Sequence, residues 1–354
     1  MNNIEKIKNA LVEQEYEAIL ITNQANRLFA TGFDSGDGVL LITEYGALFF
    51  TDARYIEAAE IAVTGADVLL VTNSDPYSAQ IKEALAEWGI SSLGFEEDSV
   101  TYSEYLNWEE TLKIKLIPAQ KLLIDFRAEK SADDLEKMKK TQRIAEKSFE
   151  EILPLISTDM TEKELAAELL YRFLKNGADD KSFDIIAVSG PKTSMPHGVP
   201  GDEKISKGFL TLDFGARLDG WCSDTTRTLC IGNPDEEMIN VYDTVLKAQK
   251  AGINAARAGI VCGALDAKAR KVIEKAGYGK YFGHGFGHGV GLEVHEAPIV
   301  SKRMKETLPS GAVISAEPGI YLPGRFGVRI EDVLYITENG CENITKLPKE
   351  LIIL

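Results

Sequence analysis

Apolar residues follow two different periodicities along residues 1–127. Short runs of apolar and β-branched residues predict strands, at EAILIT, GVLLIT, ALFFTD and ADVLLVT. The amphipathic stretch DPYSAQIKEALAEWG has the spacing of a helix with one apolar face. Strands that alternate with helices in this way predict a small α/β domain.

A change of pattern near Asp125–Lys130 indicates a polar connector between two domains. Ser131 follows it with Asp134 three residues later, which predicts the N-terminus of a long amphipathic helix. A single hydrophobic core rarely serves more than about 250–300 residues, so a chain of 354 residues favours two domains. We place them at residues 1–127 and 128–354.

The second domain mixes helices and strands without a repeating order. Thr161 to Glu164 forms a capping-box sequence, and Gly177 is placed to end the same helix. Two more helices are expected, from about Glu236 to Arg257 and from about Ala264 to Ala276. Strand patterns occur at FLTLDFGA, WCSDTTRTLCIG, AVISAEPGIYL and GVRIEDVLYIT. We therefore expect an α+β fold, in which helices cover an antiparallel sheet.

The composition narrows the functional class. A net charge of −16 argues against nucleic acid as a partner, because its binding needs clustered Lys and Arg. No apolar run approaches the ~20 residues of a membrane span, and the N-terminus lacks the apolar region of a signal peptide. The four cysteines form no CxxC pair, so we expect neither a zinc knuckle nor a disulfide framework. These features predict a cytoplasmic protein without a membrane partner.

The segment FLTLDFGARLDGWCSDTTRTL predicts a hairpin that carries two carboxylates. Arg217–Gly220 is a favourable turn, and a four-residue loop there would place Asp213 directly opposite Asp224. Their Cβ atoms would then be about 5 Å apart. Two carboxylates so close repel each other unless they share a cation.

A second acidic hairpin is predicted at AEPGIYLPGRFGVRIED. Glu317 and Glu331 are symmetric about Gly324 in a connection rich in Pro and Gly, although Pro318 is unfavourable in a central strand. One acidic hairpin alone is readily explained by solvent-facing acids at alternate strand positions. Two of them, with a histidine cluster between them, favour a functional site.

The glycine–histidine segment, residues 283–296 (GHGFGHGVGLEVHE), contains three of the four histidines. It lacks the zincin motif HExxH, because Ala297 and Pro298 follow His295 and Glu296. A dinucleotide-binding GxGxxG loop is also disfavoured, since no strand–turn–helix unit surrounds the glycines. The alternating glycines predict an extended or looped backbone that approaches another group closely.

Four carboxylates with one or two imidazoles favour a hard or borderline ion. We expect Mn²⁺, with Co²⁺ or Zn²⁺ as alternatives. Four acids are more than one ion needs, so a centre of two divalent metal ions is the simpler interpretation. Such a centre lowers the pKa of a bridging water and polarises a carbonyl, which predicts hydrolysis by a metal-bridging hydroxide.

Five motifs together resemble the pita-bread metallopeptidases, in particular the proline-specific branch of aminopeptidase P and prolidase. The motifs are LDFG, SDTTRT, GHGVGLEVHEAP, EPGIY and GVRIED, in this order, and NRLFATGF and TDARY resemble the N-terminal domain of that branch. The resemblance covers nearly the whole chain. It implies a small α/β domain followed by a pita-bread catalytic domain, and a homodimer.

The resemblance also implies roles for individual residues. Its metal ligands would be Asp213, Asp224, His288, Glu317 and Glu331. Its catalytic residues would be His197, His284, His295, Glu317 and Arg329. Glu317 would also handle the proton of the attacking hydroxide, and His295 would stabilise the tetrahedral intermediate.

The resemblance implies an exopeptidase that cleaves the Xaa-Pro bond at the N-terminus of peptides whose second residue is proline. Whether it takes dipeptides or longer peptides stays open. Methionine aminopeptidase-like activity is an alternative, and so, from a different class, is a non-catalytic binding protein on the same fold. In the N-terminal domain we single out residues that fit either buried polar contacts or a role in limiting peptide length: Asn26, Arg27, Asp52, Arg54 and Tyr55.

Overall fold

A computed structural model describes residues 2–354. The chain divides into two compact units, Met1–Phe126 and Arg127–Leu354. Across the described residues, the helices are all too short or too polar to cross a membrane.

The first unit is built on one six-stranded sheet. Its strands are β1 Ala18–Ile21, β2 Val39–Thr43, β3 Ala47–Thr51, β4 Asp67–Leu70, β5 Ser92–Phe95 and β6 Lys115–Pro118. The helices of this part of the chain are α1 Asn3–Leu11, α2 Gln24–Thr31, α3 Ile56–Ala62, α4 Tyr77–Glu87, α5 Tyr102–Leu112 and α6 Gln120–Ala128. The strand order is β4-β3-β2-β1-β5-β6.

The central strand β1 is buried on both faces, because helices cover both sides of the sheet. Ile19 and Ile21 pack in one cluster with α1, whereas Ala18 and Leu20 pack in another with α4 and α5. β1 is antiparallel to β2 and parallel to β5. The small α/β unit expected from the sequence is thus confirmed.

The connector predicted at Asp125–Lys130 contains the division between the two units, but most of it is helical, because α6 continues through Ala128. The helix is stabilised by an ion pair one turn apart between Lys121 and Asp125, and by the fully buried Leu123. The predicted start of the next helix is confirmed, since Ser131 and Asp134 form a capping box.

The second unit contains four helices, three single-turn 3₁₀ segments and thirteen strands. The helices are α7 Ala132–Ile152, α8 Glu162–Lys175, α9 Glu236–Ile253 and α10 Cys262–Lys275. The strands up to α9 are β7 Asp180–Lys181, β8 Ile186–Ser189, β9 Gly208–Phe214, β10 Ala216–Leu218, β11 Trp221–Cys222 and β12 Thr225–Ile231. After α10 follow β13 Gly287–Gly289, β14 Glu296–Val300, β15 Val313–Ala316, β16 Gly319–Leu322, β17 Phe326–Arg329, β18 Asp332–Thr337 and β19 Gly340–Asn343.

These strands form four antiparallel groups, ordered β12-β9-β8, β11-β10-β7, β14-β13-β15-β18-β19 and β16-β17. One buried core packs α7 and α8 against β9, where Phe149 stacks on Phe214. The other packs α9 and α10 against β15 and β18. Helices therefore cover antiparallel sheets, as the α+β prediction requires, and the polar side chains described below lie between these strand groups.

Candidate metal centre

The first acidic hairpin forms, but with a different register from the one predicted. The loop has two residues, because Leu218 pairs with Trp221 around Asp219 and Gly220, both at positive φ. Asp213 therefore lies opposite Thr226 rather than Asp224. Side chains two positions apart share a face of a strand, so Asp224 becomes a diagonal neighbour of Asp213 instead of its direct partner.

The second acidic hairpin has the predicted register. Ala316 pairs with Asp332 and Gly319 pairs with Arg329, so Glu317 and Glu331 face each other between these pairs. Pro318 interrupts the ladder there, which divides the hairpin between two sheets. The interruption leaves both glutamates outside regular strand pairing, where their side chains can turn toward a common point.

Ligand atoms of Asp224, His288 and Glu331 lie within 4.8 Å of one another. His288 belongs to β13, and its Nε2 is 3.7 Å from Asp224 Oδ2 and 3.2 Å from Glu317 Oε1. The fifth predicted ligand, Asp213, lies close enough to this group for its charge to raise the pKa of Asp224. The structure thus gathers two hairpins and the glycine–histidine segment around one acidic pocket.

Arg329 connects several of the predicted site residues through hydrogen bonds. Its Nη2 donates to Asp213 Oδ2 at 2.6 Å, and its Nη1 donates to Tyr321 Oη at 2.9 Å. Tyr321 Oη also lies 2.9 Å from His284 Nε2. On the other side, Arg329 Nε donates to Thr226 Oγ1, which donates to Glu331 Oε2 at 2.7 Å. The guanidinium therefore orients one carboxylate of each hairpin.

The pocket brings together more acidic than basic side chains. Burial and then the neighbouring carboxylates raise the pKa values of Asp224 and Glu331. Burial alone would lower the pKa of His288, but its hydrogen bond to Glu317 and the surrounding acids raise it to about 9. Burial opposes the shift of Glu317 as well, yet His288 lowers the pKa of this carboxyl to about 2. A cation in the pocket would relieve the repulsion between the acids.

The remaining predicted histidines lie around this pocket. The rings of His295 and His288 are 4.3 Å apart between centroids, and burial followed by His288 lowers the pKa of His295. His284 is partly buried, and loss of contact with water lowers its pKa. His197 is exposed and borders a cavity of about 460 Å³ whose walls include Ile186 and Pro200.

A buried ionic cluster anchors the end of the glycine–histidine segment. Glu296 directly follows His295, and its carboxylate pairs with Arg127 and with Lys130 Nζ at 2.5 Å. The side chains of all three are at most 8% exposed. Arg127 also pairs with Glu293, whose side chain is 47% exposed. The cluster fixes the backbone on the C-terminal side of His295.

Three polar residues of the site were not assigned roles from the sequence: Thr226, Tyr321 and Ser315. Ser315 Oγ accepts a hydrogen bond from His288 N and donates to Glu317 Oε1 at 3.2 Å. Thr226 could have been predicted from the sequence pattern, because it lies two residues after Asp224 and so shares its strand face. Tyr321 shows no comparable local signal.

The N-terminal residues singled out from the sequence mostly make structural contacts. Asn26 donates to the buried Glu96 at 2.6 Å, and Arg27 donates to the carbonyl of Ser35 at 2.8 Å. Arg54 pairs with Asp52 at 2.7 Å. The guanidinium of Arg54 also lies over the ring of Tyr55, 5.3 Å from its centroid, and all these contacts lie within the first unit.

Known proteins share both the sequence and the architecture. Residues 136–338 match metallopeptidase family M24, and residues 3–128 match the creatinase/prolidase N-terminal domain. An Xaa-Pro dipeptidase from Pyrococcus horikoshii is 35% identical over 99% of this chain and 98% of its own length.

Solved structures agree with this comparison. An Xaa-Pro dipeptidase from Bacillus anthracis has a TM-score of 0.96 and 41% identity, covering 99% of each chain. An X-Pro aminopeptidase from Thermotoga maritima has a TM-score of 0.92 and 35% identity, covering 100% of each chain.

The fold and the acidic pocket are those of a metal-dependent peptidase with the pita-bread architecture. The chain belongs to metallopeptidase family M24 and carries the creatinase/prolidase N-terminal domain of its relatives. The resemblance drawn from the five sequence motifs is therefore confirmed at the level of the family.

Proposed function

We propose that this protein is an exopeptidase with two divalent metal ions that hydrolyses the Xaa-Pro bond at the N-terminus of peptides. The convergence of Asp224, His288 and Glu331 in one buried pocket carries the proposal. The names of the similar proteins, Xaa-Pro dipeptidase and X-Pro aminopeptidase, support the choice of bond.

The donor set fits divalent ions. Asp213 Oδ1 is buried and has no hydrogen-bond partner among residues 2–354, so the carboxylate keeps a lone pair available for an ion. Oxygen donors outnumber the single imidazole of His288, and this balance suits Mn²⁺ better than a thiolate-rich zinc site. In this proposal the ions are held by Asp213, Asp224, His288, Glu317 and Glu331.

When bound, the ions would supply a water of lowered pKa and polarise the scissile carbonyl. The protein's own side chains would do the rest. Glu317, whose Oε1 lies 3.2 Å from His288 Nε2, is placed beside the proposed ions to take and return a proton. His295, whose ring centroid lies 4.3 Å from that of His288, can donate a hydrogen bond to the developing oxyanion.

Proline at the second position needs a dedicated pocket, because its ring removes the N–H and fixes φ. The cavity beside His197 has apolar walls from Ile186, Val199 and Pro200. Ile186 pairs with Asp213 across β8 and β9, which brings this cavity next to the acidic pocket. We assign this cavity to the peptide residues on either side of the scissile bond, among them the proline ring.

A panel of Ala-Pro, Ala-Pro-Ala, Met-Ala-Ala and Ala-Ala peptides, each with Mn²⁺, Co²⁺ or Zn²⁺, tests the proposal. We expect hydrolysis of the two proline peptides, fastest with Mn²⁺, and little hydrolysis of Ala-Ala. Their relative rates would separate dipeptidase from aminopeptidase activity. Preference for Met-Ala-Ala would indicate the methionine aminopeptidase alternative. Metal-loaded protein that cleaves none of the four peptides would overturn the proposal.

The proposal also includes the oligomeric state and the cellular location of the protein. We expect a homodimer, which sedimentation equilibrium would test, and a cytoplasmic location, which fractionation of cells would test. A monomer at micromolar concentration would contradict the first expectation.

A further inference from the structure

A buried ion pair on α10 is not used by the chemistry proposed above. Asp266 is fully buried, and the side chain of Arg270 is 14% exposed. Arg270 Nε donates to Asp266 Oδ2 at 2.7 Å, and Nη2 donates to Oδ1 at 2.9 Å. The two residues are four positions apart, so they are neighbours on one helix face.

Both side chains of this pair also form hydrogen bonds with the backbone around the start of the glycine–histidine segment. Arg270 Nη1 donates to the carbonyl of Phe282 at 2.9 Å, and Nη2 donates to the carbonyl of His284 at 2.7 Å. Asp266 Oδ1 accepts from the backbone N–H of Phe286 at 3.0 Å. Three alternate residues are thus held by one ion pair.

Phe286 connects this backbone to the acidic pocket, because its N–H bonds to Asp266 and its carbonyl points to Glu317. The carbonyl of Phe286 accepts from the N–H of Glu317 at 2.8 Å. The Phe286 ring is fully buried against α9, where a Cβ at Gly252 would overlap it. A continuous path of contacts therefore leads from Arg270 and Asp266 through Phe286 to Glu317.

The segment needs such an external support because its own sequence restrains it weakly. Glycine occupies positions 283, 285, 287 and 289, and glycine loses more conformational freedom on folding than any other residue. At Gly287 the backbone also lies so close to the carbonyl of Ser315 that no Cβ would fit. The histidines between the glycines therefore take their positions from neighbouring elements.

We propose that Asp266 and Arg270 are positioning residues for the metal centre, which set His284, His288 and Glu317 through the backbone of residues 282–286. The inference rests on the proposed function, because it assigns the pair a part in that reaction. The hydrogen bonds of the two side chains go to each other and to the backbone of Phe282, His284 and Phe286, and they act by fixing these carbonyls and this N–H group.

A second ion pair of the same kind provides a matched control. On α8, Arg172 Nε donates to Glu168 Oε1 at 2.8 Å, again four residues apart. Arg172 also pairs with Glu151, and neither acid belongs to the acidic pocket. The pair on α8 is more exposed than the pair on α10, so the comparison concerns kcat and Mn²⁺ affinity rather than stability. If an ion pair of this spacing only stabilises its own helix, substitutions on α8 and α10 should both leave kcat and Mn²⁺ affinity nearly unchanged.

The experiment compares Arg270→Lys and Asp266→Asn with Arg172→Lys in the full-length protein. A lysine cannot reach two carbonyls and a carboxylate at once, because it lacks the guanidinium fork. We expect kcat for Ala-Pro with Mn²⁺ to fall about 10- to 100-fold in both α10 variants, as for other groups that orient metal ligands. KM should change little. The Mn²⁺ affinity of the metal-free α10 variants, measured by titration calorimetry, should fall within the same range.

A double-mutant cycle with His284→Ala distinguishes positioning from general stability. If Arg270 acts through His284 and its neighbours, the two losses in kcat should be less than additive. Fully additive losses, or α10 variants that match Arg172→Lys in both kcat and Mn²⁺ affinity, would overturn the inference. If the unmodified protein binds Mn²⁺ but cleaves no peptide, the proposed function fails while the affinity comparison still tests the positioning role.

Discussion

Replacing Glu296 by Gln should destabilise the second unit more than any exposed substitution nearby. Glu296 neutralises two buried cations, Arg127 and Lys130. Removing one partner from a buried ion pair costs about 3–5 kcal/mol, because charge stays buried without compensation. The side chain of Gln is nearly the same size as that of Glu, so the substitution leaves packing almost unchanged and isolates the electrostatic effect.

This cost can be converted into a melting temperature. For a folding unit of about 150–250 residues, 1 kcal/mol shifts Tm by about 2–4 °C. We therefore expect Glu296→Gln to lower Tm by about 6–20 °C in metal-free protein, measured by scanning calorimetry in the presence of a chelator.

Glu293→Gln is the matched control for this measurement. Glu293 pairs with the same Arg127 at 2.8 Å, but its side chain is 47% exposed. An exposed ion pair contributes about 0–1 kcal/mol, so its Tm should fall by less than about 4 °C. Equal shifts for the two variants would refute the reasoning, because burial would then make no difference.

The pH dependence gives an independent check. Burial would raise the pKa of Glu296, but Lys130 and Arg127 outweigh it and lower this pKa. The contribution of the ion cluster is therefore complete above the unfolded pKa, near 4.3, and is lost as the pH falls through the lower folded value. The difference in Tm between the unmodified protein and Glu296→Gln should be constant near neutral pH and shrink in that acidic range.

Other substitutions test the metal centre itself. Asp224→Asn should abolish Mn²⁺-dependent hydrolysis without changing the circular dichroism spectrum, and retained turnover would exclude Asp224 as an essential metal ligand. His295→Ala should lower kcat about 100- to 1,000-fold with metal content unchanged by mass spectrometry, as expected for an oxyanion donor. Loss of metal would instead make His295 a ligand. Gly287→Ala would force the strand away from Ser315, so Tm and Mn²⁺ affinity should both decrease; unchanged values would show that the strand can shift freely.

The two acidic hairpins show how far the sequence alone could lead. The second was predicted in register because Gly324 is the centre of a short connection rich in turn residues. The first failed because Arg217–Gly220 was treated as a four-residue loop, whereas Asp219 and Gly220 form the turn alone. Asp-Gly is a strong signal for a two-residue hairpin loop, so the correct register was accessible.

The hydrogen-bond network of the site was harder to predict from the sequence, because its members come from distant parts of the chain. The contact between Tyr321 and His284 depends on how two strands pack, and neither residue lies in a pattern that specifies the other. The Asp266–Arg270 pair has an ordinary helical spacing, and only the fold shows that it contacts the glycine–histidine segment. Local patterns predict elements and turns, whereas such contacts are set by tertiary packing.

The separation of the site residues along the chain has a consequence for the order of folding. Thr226 and Glu331 share a hydrogen bond although they are 105 positions apart in the sequence. Contacts between such distant segments require closure of a long loop and form slowly compared with helices. Capture of an ion by the pocket should therefore lag behind the recovery of helical signal during refolding. A luminescent or paramagnetic ion would then report the moment at which the two hairpins meet.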